Sequence, residues 1–272
     1  MRRTIPLCVL CASFATGCAI DDDNVGVSTQ DLADPSIPPT LGTLEAWFDG
    51  TRGVTTLDGQ VIAWDDQSGN GRTLGRASYD PPPMVYSTYP GAPKGNNAVC
   101  FGSNQVMTSP LASGLVNGGI NLRQPFAVAI ALRPTAIAAA FALSGAFAPT
   151  ISVGQSLDVP DWPPTIPPPE TRLRATAGIG DSYTQIAIAK NPIAAPHVMV
   201  AIFDGPRSQL FVDGMPRGAS GDLTTSPLAG LVLSPAARPF SGCIGEVLVY
   251  GNNIGAFNAT ALSSYLRDHY GP

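Results

Sequence analysis

The chain has 272 residues, of which 44% are hydrophobic and only 13% charged, with 29 glycines and 27 prolines. Its apolar content is enough for a sizeable core, while scarce charge and abundant turn formers argue against long solvent-exposed helices and for an all-β domain. A formal net charge of -5, with no run of basic residues, excludes nucleic acid as a partner on electrostatic grounds.

Arg2 and Arg3 precede an apolar stretch from Ile5 to Ala15 and the small residues Ala15, Thr16 and Gly17 before Cys18, the three-part layout of an export signal. The apolar stretch is about half the roughly 20 residues of a membrane-spanning helix, so residues 1–18 read as a signal rather than a transmembrane anchor. Phe14 to Cys18 resembles a bacterial lipobox, with Ala15 where that motif usually has Leu. The resemblance implies cleavage before Cys18 and lipidation of its thiol; two or more acyl chains hold a protein stably at a membrane. Ordinary cleavage and free secretion are the alternative. Loss of Arg2 and Arg3 brings the mature chain to a net charge of about -7. Residues 19–40, with Asp21, Asp22, Asp23, Pro35, Pro38 and Pro39, have the composition of a solvated acidic tether; an ordered strand at Val25 to Thr29 is the other reading.

From residue 41 onward the pattern changes. Leu44 to Asp49 alternates, with Leu44, Ala46 and Phe48 on one face, and Val61 to Trp64 leads into Asp65-Asp66-Gln67-Ser68-Gly69-Asn70-Gly71. Further strand-like runs occur at Ala98 to Gly102, Ala127 to Leu132, Phe141 to Ser144, Thr184 to Ala189, Val198 to Phe203, Gln209 to Val212, Leu228 to Leu233 and Ile244 to Tyr250. Many short strands punctuated by turns describe a two-sheet sandwich. The run at Ala127 is apolar throughout, which predicts a central strand covered on both faces. His197 to Gly218 holds two such runs around Gly205-Pro206, followed by a turn at Asp213-Gly214, and predicts an antiparallel hairpin. One helix is predicted over Ala256 to Asp268, since Leu262, Tyr265, Leu266 and His269 share a face, with Gly255 as N-cap and Gly271 at the end. Between the strands, Gly154 to Arg172 has six prolines and Trp162; proline supplies no ladder donor, so this predicts a surface loop.

The order of these motifs resembles the laminin G-like domains of the concanavalin A-like lectin/glucanase superfamily. The likeness runs from about Leu44 to Gly271 and rests on five places: the opening Trp47 and Trp64 with the Asp65 to Gly71 loop, the strand ending at Phe101, the Pro125 to Leu132 strand, the His197 to Gly218 hairpin, and the closing Ile244 to Tyr250 strand followed by the helix. It implies a two-sheet antiparallel jelly-roll sandwich with one short C-terminal helix over residues 41–272. It also places Cys100 and Cys243 on neighbouring strands, at positions the family generally fills with outward-facing polar residues. Cys8 and Cys11 lie in the signal and Cys18 is the lipid site, so these two remain for an exported domain, where a disulfide is favoured. The resemblance therefore implies a Cys100 to Cys243 bridge, two free thiols being the alternative.

Glucanases of this fold use closely spaced carboxylates on one strand. The chain has three glutamates, Glu45, Glu170 and Glu246, and none opens such a motif; Glu246 reads as a structural hydrogen-bonding residue. His197 opens a strand and His269 ends the helix, which suits structural roles better than a nucleophile's base. The expectation is a non-catalytic cell-envelope module that recognises carbohydrate or a surface protein, at the outer membrane or cell surface. A structural domain without a small ligand and an atypical glycoside hydrolase are the alternatives. Trp162, Asp158 and Asp161 are the candidate ligand-binding residues, because an aromatic face beside carboxylates suits a sugar, although packing of Trp162 under its own loop is the simpler reading. No cofactor is expected. Calcium at Asp65, Asp66, Ser68 and Asn70, or at Asp204 or Asp213, competes with a simpler explanation as Asx turns. If Cys18 carries the lipid, Cys18→Ala shifts the protein from the membrane to the soluble fraction on cell fractionation; an unchanged distribution would overturn the lipid assignment.

Overall fold

The computed structural model describes residues 37–76, 83–86, 88–89, 95–102, 105–108, 119–135, 140–144, 150–155, 171–179, 182–189, 195–222, 225, 227–234 and 240–271. Residues 1–36, with Cys18 and the signal, lie outside this set, as does the loop bearing Asp158, Asp161 and Trp162. In chain order the strands are β1 (Leu44–Asp49), β2 (Val54–Leu57), β3 (Gln60–Asp65), β4 (Thr73–Arg76), β5 (Met84–Tyr86), β6 (Ala98–Phe101), β7 (Met107–Thr108), β8 (Asn121–Leu122), β9 (Phe126–Pro134) and β10 (Ala140–Ser144). They continue with β11 (Thr150–Gln155), β12 (Thr171–Ile179), β13 (Ser182–Ala189), β14 (His197–Phe203), β15 (Ser208–Val212), β16 (Met215–Gly221), β17 (Leu228–Ala229), β18 (Val232–Leu233) and β19 (Gly242–Tyr250), and the chain closes with helix α1 (Gly255–Tyr270).

The strands form the antiparallel sandwich expected. In the first layer β19 pairs with β9 along its length, and with β6 and β1 in succession on its other side; β9 continues to β14, β15 and β16. The second layer runs β2, β3, β4, β7, β18, β10, β11, β12, β13, and β5 ties the two by pairing with both β3 and β6.

Alternation along β9 explains its unbroken apolar sequence. Val128, Ile130 and Leu132 enter the core between the layers with Trp64, Leu74, Met107 and Leu233 from the second sheet. Ala127, Ala129 and Ala131 point the other way, into a second cluster with Leu262, Leu266 and Tyr270 of α1. Three alanines in a row give the helix a flat surface to approach, and each large aliphatic side chain fully buried contributes roughly 1.5–3 kcal/mol. The helix begins one residue earlier than predicted: Gly255 is its first residue rather than its N-cap, which is Ile254, and Asn253 Oδ1 accepts the Gly255 N–H at 2.8 Å. At the chain's entry to the domain, Pro38 and Pro39 are buried, and the Pro39 carbonyl accepts the Tyr250 hydroxyl at 2.9 Å.

Cys100 and Cys243 face each other in register across β6 and β19 and form a disulfide with a Cα separation of 3.9 Å. Their positions are outward with respect to the sandwich core, as expected, but they are not solvent-facing: both sulfurs belong to the cluster under α1, beside Tyr89 and Tyr270. Other readings need adjustment. Leu228 to Leu233 is broken at Gly230 (φ 71) into β17 and β18, and the ends of the Gly154 to Arg172 segment belong to β11 and β12. The disulfide closes a sequence separation of 143 residues, so on the chain-entropy account the Cys100→Ala/Cys243→Ala variant loses about 2–5 kcal/mol of unfolding free energy; denaturant titration of oxidised wild type against the variant measures it, and equal midpoints would refute it.

Candidate functional site

The polar clusters among the described residues fall in three places. The first is the Asp65 to Gly71 loop. Asp66 Oδ1 accepts the backbone N–H groups of Trp47 and Ser68, both at 2.8 Å, and Oδ2 accepts the Ser68 hydroxyl at 2.8 Å. Asn70 donates its amide to the carbonyls of Leu44 and Glu45, and Arg72 Nη2 donates to Glu45 Oε2 at 3.1 Å. The loop is thus a clasp joining the second layer to β1. Both oxygens of the Asp66 carboxylate and Asp65 Oδ1 already accept from N–H and O–H donors, whereas calcium draws six to eight oxygens inward, so turn bonding accounts for these residues.

The second is the β14–β15 hairpin. Asp204 is held by Arg207 (Nε to Oδ2, 3.1 Å) and accepts from Asn253 Nδ2 at 2.8 Å, which leaves it equally unsuited to calcium. Asp213, at φ 53, ends the hairpin: its N–H donates to the Val198 carbonyl and Oδ1 accepts the Val198 N–H. Oδ2 lies 2.9 Å from His197 Nδ1, so the carboxylate fixes the tautomer and orientation of that ring. Sequence reading treated His197 and Asp213 separately. The hairpin register, Met199 opposite Val212, is the signal that joins them, because it carries Asp213 alongside Val198.

The third lies beneath α1 and is organised by a bulge. The register of β19 against β9 slips between Ile244 and Glu246, so Cys243 and Glu246 both face the helix while Ile244 and Val247 both enter the sandwich core. Gly245 sits at the slip against the Tyr270 ring, where a Cβ would collide. Glu246, 1% exposed, then meets three partners: Trp47 Nε1 donates to Oε1 at 2.7 Å, the Tyr265 hydroxyl donates to the same oxygen at 2.9 Å, and His269 Nδ1 stands 3.6 Å from Oε2. Directly across the ladder is Asp49, which accepts from Thr51 and Tyr270 and pairs with Arg52 at 3.3 Å. Burial raises the pKa of Glu246, and the Asp49 charge adds to this against the lowering influence of His269 and Tyr265. Asp49 and Glu246 are carboxylates opposite each other on neighbouring strands, and retaining glycosidases also work with a close carboxylate pair. Here, however, both are covered by α1, and their oxygens are occupied by protein donors. Glu246 therefore holds the helix to β1 and β19, the structural role its place in the sequence suggested. Trp47 serves Glu246 through its ring N–H, and Trp64 lies in the core and donates to the Asp49 carbonyl at 2.9 Å; neither is presented to a sugar. Among the described residues no group of three or more His, Cys, Asp or Glu is placed to hold a metal ion, and no helix is long and apolar enough to cross a membrane.

No protein-family profile matches the chain, and no curated protein matches it in sequence. Solved structures do match its fold. Domain 4 of AbnA, a GH43 extracellular arabinanase from Geobacillus stearothermophilus, in complex with arabinotriose, superposes with a TM-score of 0.51 at 16% identity, covering 81% of this chain and 98% of that one. Trypanosoma rangeli sialidase in complex with the inhibitor DANA gives 0.53 at 13% identity over 89% of this chain and 37% of that one. The binding domain of botulinum neurotoxin DC in complex with rat synaptotagmin II gives 0.53 at 8% identity over 82% and 52%. The chain is thus similar in fold to almost all of the arabinanase domain, to about a third of the sialidase chain and to about half of the neurotoxin chain. At these identities the likeness establishes a β-sandwich architecture.

Four tyrosines, Tyr89, Tyr250, Tyr265 and Tyr270, have raised pKa values through burial first of all. Unfolded tyrosines ionise near pH 10.0, before the folded ones do, so stability present below that pH is lost as pH rises through and beyond it, by about 1.4 kcal/mol per pH unit for each tyrosine. Glu246 acts in the same sense in the acid range: its contribution is present below the ordinary value of 4.5 and declines as pH rises toward its elevated folded value. Among the described residues the Tyr89 hydroxyl has no hydrogen-bond partner, so Tyr89→Phe leaves stability at pH 8 within about 1 kcal/mol of wild type and makes the loss above pH 10 shallower. Denaturant midpoints between pH 8 and 11 measure both, and parallel pH profiles for variant and wild type would disprove the account.

Proposed function

We propose that the chain is a laminin G-like, non-catalytic binding module of a bacterial envelope lipoprotein, exported and held at the outer membrane or cell surface by lipid on Cys18, and that it recognises a glycan or a surface protein. The observation that carries the binding reading is the superposition on nearly the whole of an arabinanase domain in complex with arabinotriose. The protein-partner form draws on the neurotoxin binding domain, whose complex is with rat synaptotagmin II. The non-catalytic reading draws on Asp49 and Glu246: carboxylates sealed under a helix and saturated with donors do not reach a glycosidic bond. The Trp162 loop, with Asp158 and Asp161, remains the proposed contact, since long loops on a rigid sandwich commonly carry binding. The module acts without calcium in this reading.

A thermal-shift screen of the mature domain against polysaccharides, with and without calcium, tests it. A ligand at 100 times its Kd adds about 2.7 kcal/mol, which raises the midpoint of a domain this size by roughly 5–10 °C. The shift is expected with at least one glycan and is independent of calcium. No shift with any glycan turns the reading toward a protein partner or a structural domain, and hydrolysis of one revives the enzyme.

A further inference from the structure

The clasp between β3 and β4 carries an Asn-Gly pair, Asn70-Gly71. An asparagine side chain ends in an amide carbon, and the main-chain nitrogen of the next residue can close a five-membered ring on it. Asparagine is thermolabile through such chemistry, most of all before glycine, which has no side chain to obstruct the approach. The structure leaves this pair open. Asn70 and Gly71 are exposed, Gly71 stands at φ 68, and nothing lies within 4 Å of the position its Cβ would take. Gly69, at φ 90, is equally open, so the backbone on both sides of Asn70 has room to bend into a ring. A second Asn-Gly pair, Asn117-Gly118, lies outside the described residues.

The same side chain is also a fastening. Asn70 Nδ2 donates toward the Glu45 carbonyl at 3.0 Å, Ser68 Oγ at 3.1 Å and the Leu44 carbonyl at 3.2 Å. Leu44 and Glu45 are the first two residues of β1, so these bonds tie the loop to that strand. Nδ2 is the atom that ring closure expels, and its bonds must open as it leaves. They cannot form again afterwards, because a carboxylate has only acceptors to set against two carbonyl acceptors. The product also adds a negative charge to a loop that already holds Asp65 and Asp66. One atom thus both anchors the loop and departs in the reaction, which couples the chemistry of the pair to the integrity of the clasp.

We propose that Asn70-Gly71 is a deamidation site, with water as the co-reactant, and that the reaction releases this part of the clasp irreversibly. The Gly71 nitrogen attacks Asn70 Cγ and gives up its proton; the N–Cγ bond forms, the Cγ–Nδ2 bond breaks, and Nδ2 leaves as ammonia. Water then opens the cyclic imide at either carbonyl. Breaking the bond to Cγ yields aspartate, and breaking the bond to the main-chain carbonyl yields isoaspartate, whose main chain runs through the former side chain. No electrons are transferred, and only water is consumed. Peptide mapping by mass spectrometry of the full chain, incubated folded in mildly alkaline buffer and sampled over days, tests it. The peptide containing Asn70 is expected to gain the mass of amide-to-acid conversion and to separate into aspartate and isoaspartate forms, resolved from the peptide containing Asn117. Ser68→Ala, which removes one anchor of Nδ2, reacts about fivefold faster, and Asn70→Asp lowers the folding equilibrium constant about tenfold on denaturant titration. An unchanged Asn70 peptide in the wild type, or aspartate without isoaspartate, overturns the site; that arm requires no variant to fold. Equal rates in Ser68→Ala and wild type, or an Asn70→Asp chain as stable as wild type, overturn the coupling to the clasp.

Discussion

Strand β19 sets the terms for the rest of the molecule. All nine of its residues are buried, and its backbone has ladder partners on both sides. A strand so placed needs cover on both faces, and a sandwich supplies only one. The second cover is α1, which explains why a helix follows β19, why β9 presents alanines on one face and larger aliphatics on the other, and why Tyr250, Tyr265 and Tyr270 are drawn under the same roof. Hydrophobic burial drives this arrangement, and the near absence of open backbone edges along β19 gives it a single register.

The bulge at Gly245 turns that constraint into chemistry. Without it, strict alternation would aim Glu246 into the core between the sheets, where no donor waits. With it, the carboxylate turns toward α1 and finds an indole, a phenol and an imidazole. A buried carboxylate is costly to desolvate, and this one is tolerated because its partners arrive from both β1 and α1. The same bonds fix the helix relative to β1, so one extra residue in a strand determines how the last element docks. Asp66 plays the matching part at the other layer, where its turn fastens the second sheet to β1.

The fold was legible wherever strands carried β-branched or aromatic residues in alternation: β1, β9, β14, β15, β19 and the helix appear within a few residues of their predicted places. It was least legible in β12, where only Leu173 and Ile179 are large and apolar and the rest are Thr, Ala, Gly and two arginines, offering little of the signal that marks a strand. The Cys100 to Cys243 bridge followed from the family resemblance, but its burial did not, because covering by α1 is a tertiary effect. The His197 and Asp213 pair lay within reach of a register count along a hairpin already recognised. The pairing of Glu246 with His269 did not, since a bulge reverses the parity on which such counting depends. Trp162, Asp158 and Asp161 belong to a Pro-rich segment outside the described residues, so the loop's appeal still rests on composition.

The position of β19 after all of its partner strands in sequence has a consequence for how the domain is made. Its partners β1, β6 and β9 are separated from it by between about a hundred and two hundred residues, and each lacks its β19 ladder until that strand has been made, although β6 can pair with β5 and β9 with β14 before then. Long-range pairing of this kind folds slowly, and N-terminal segments that must wait leave apolar edges open in the interval. The centre of the first layer is therefore completed late, when β19 joins β1, β6 and β9.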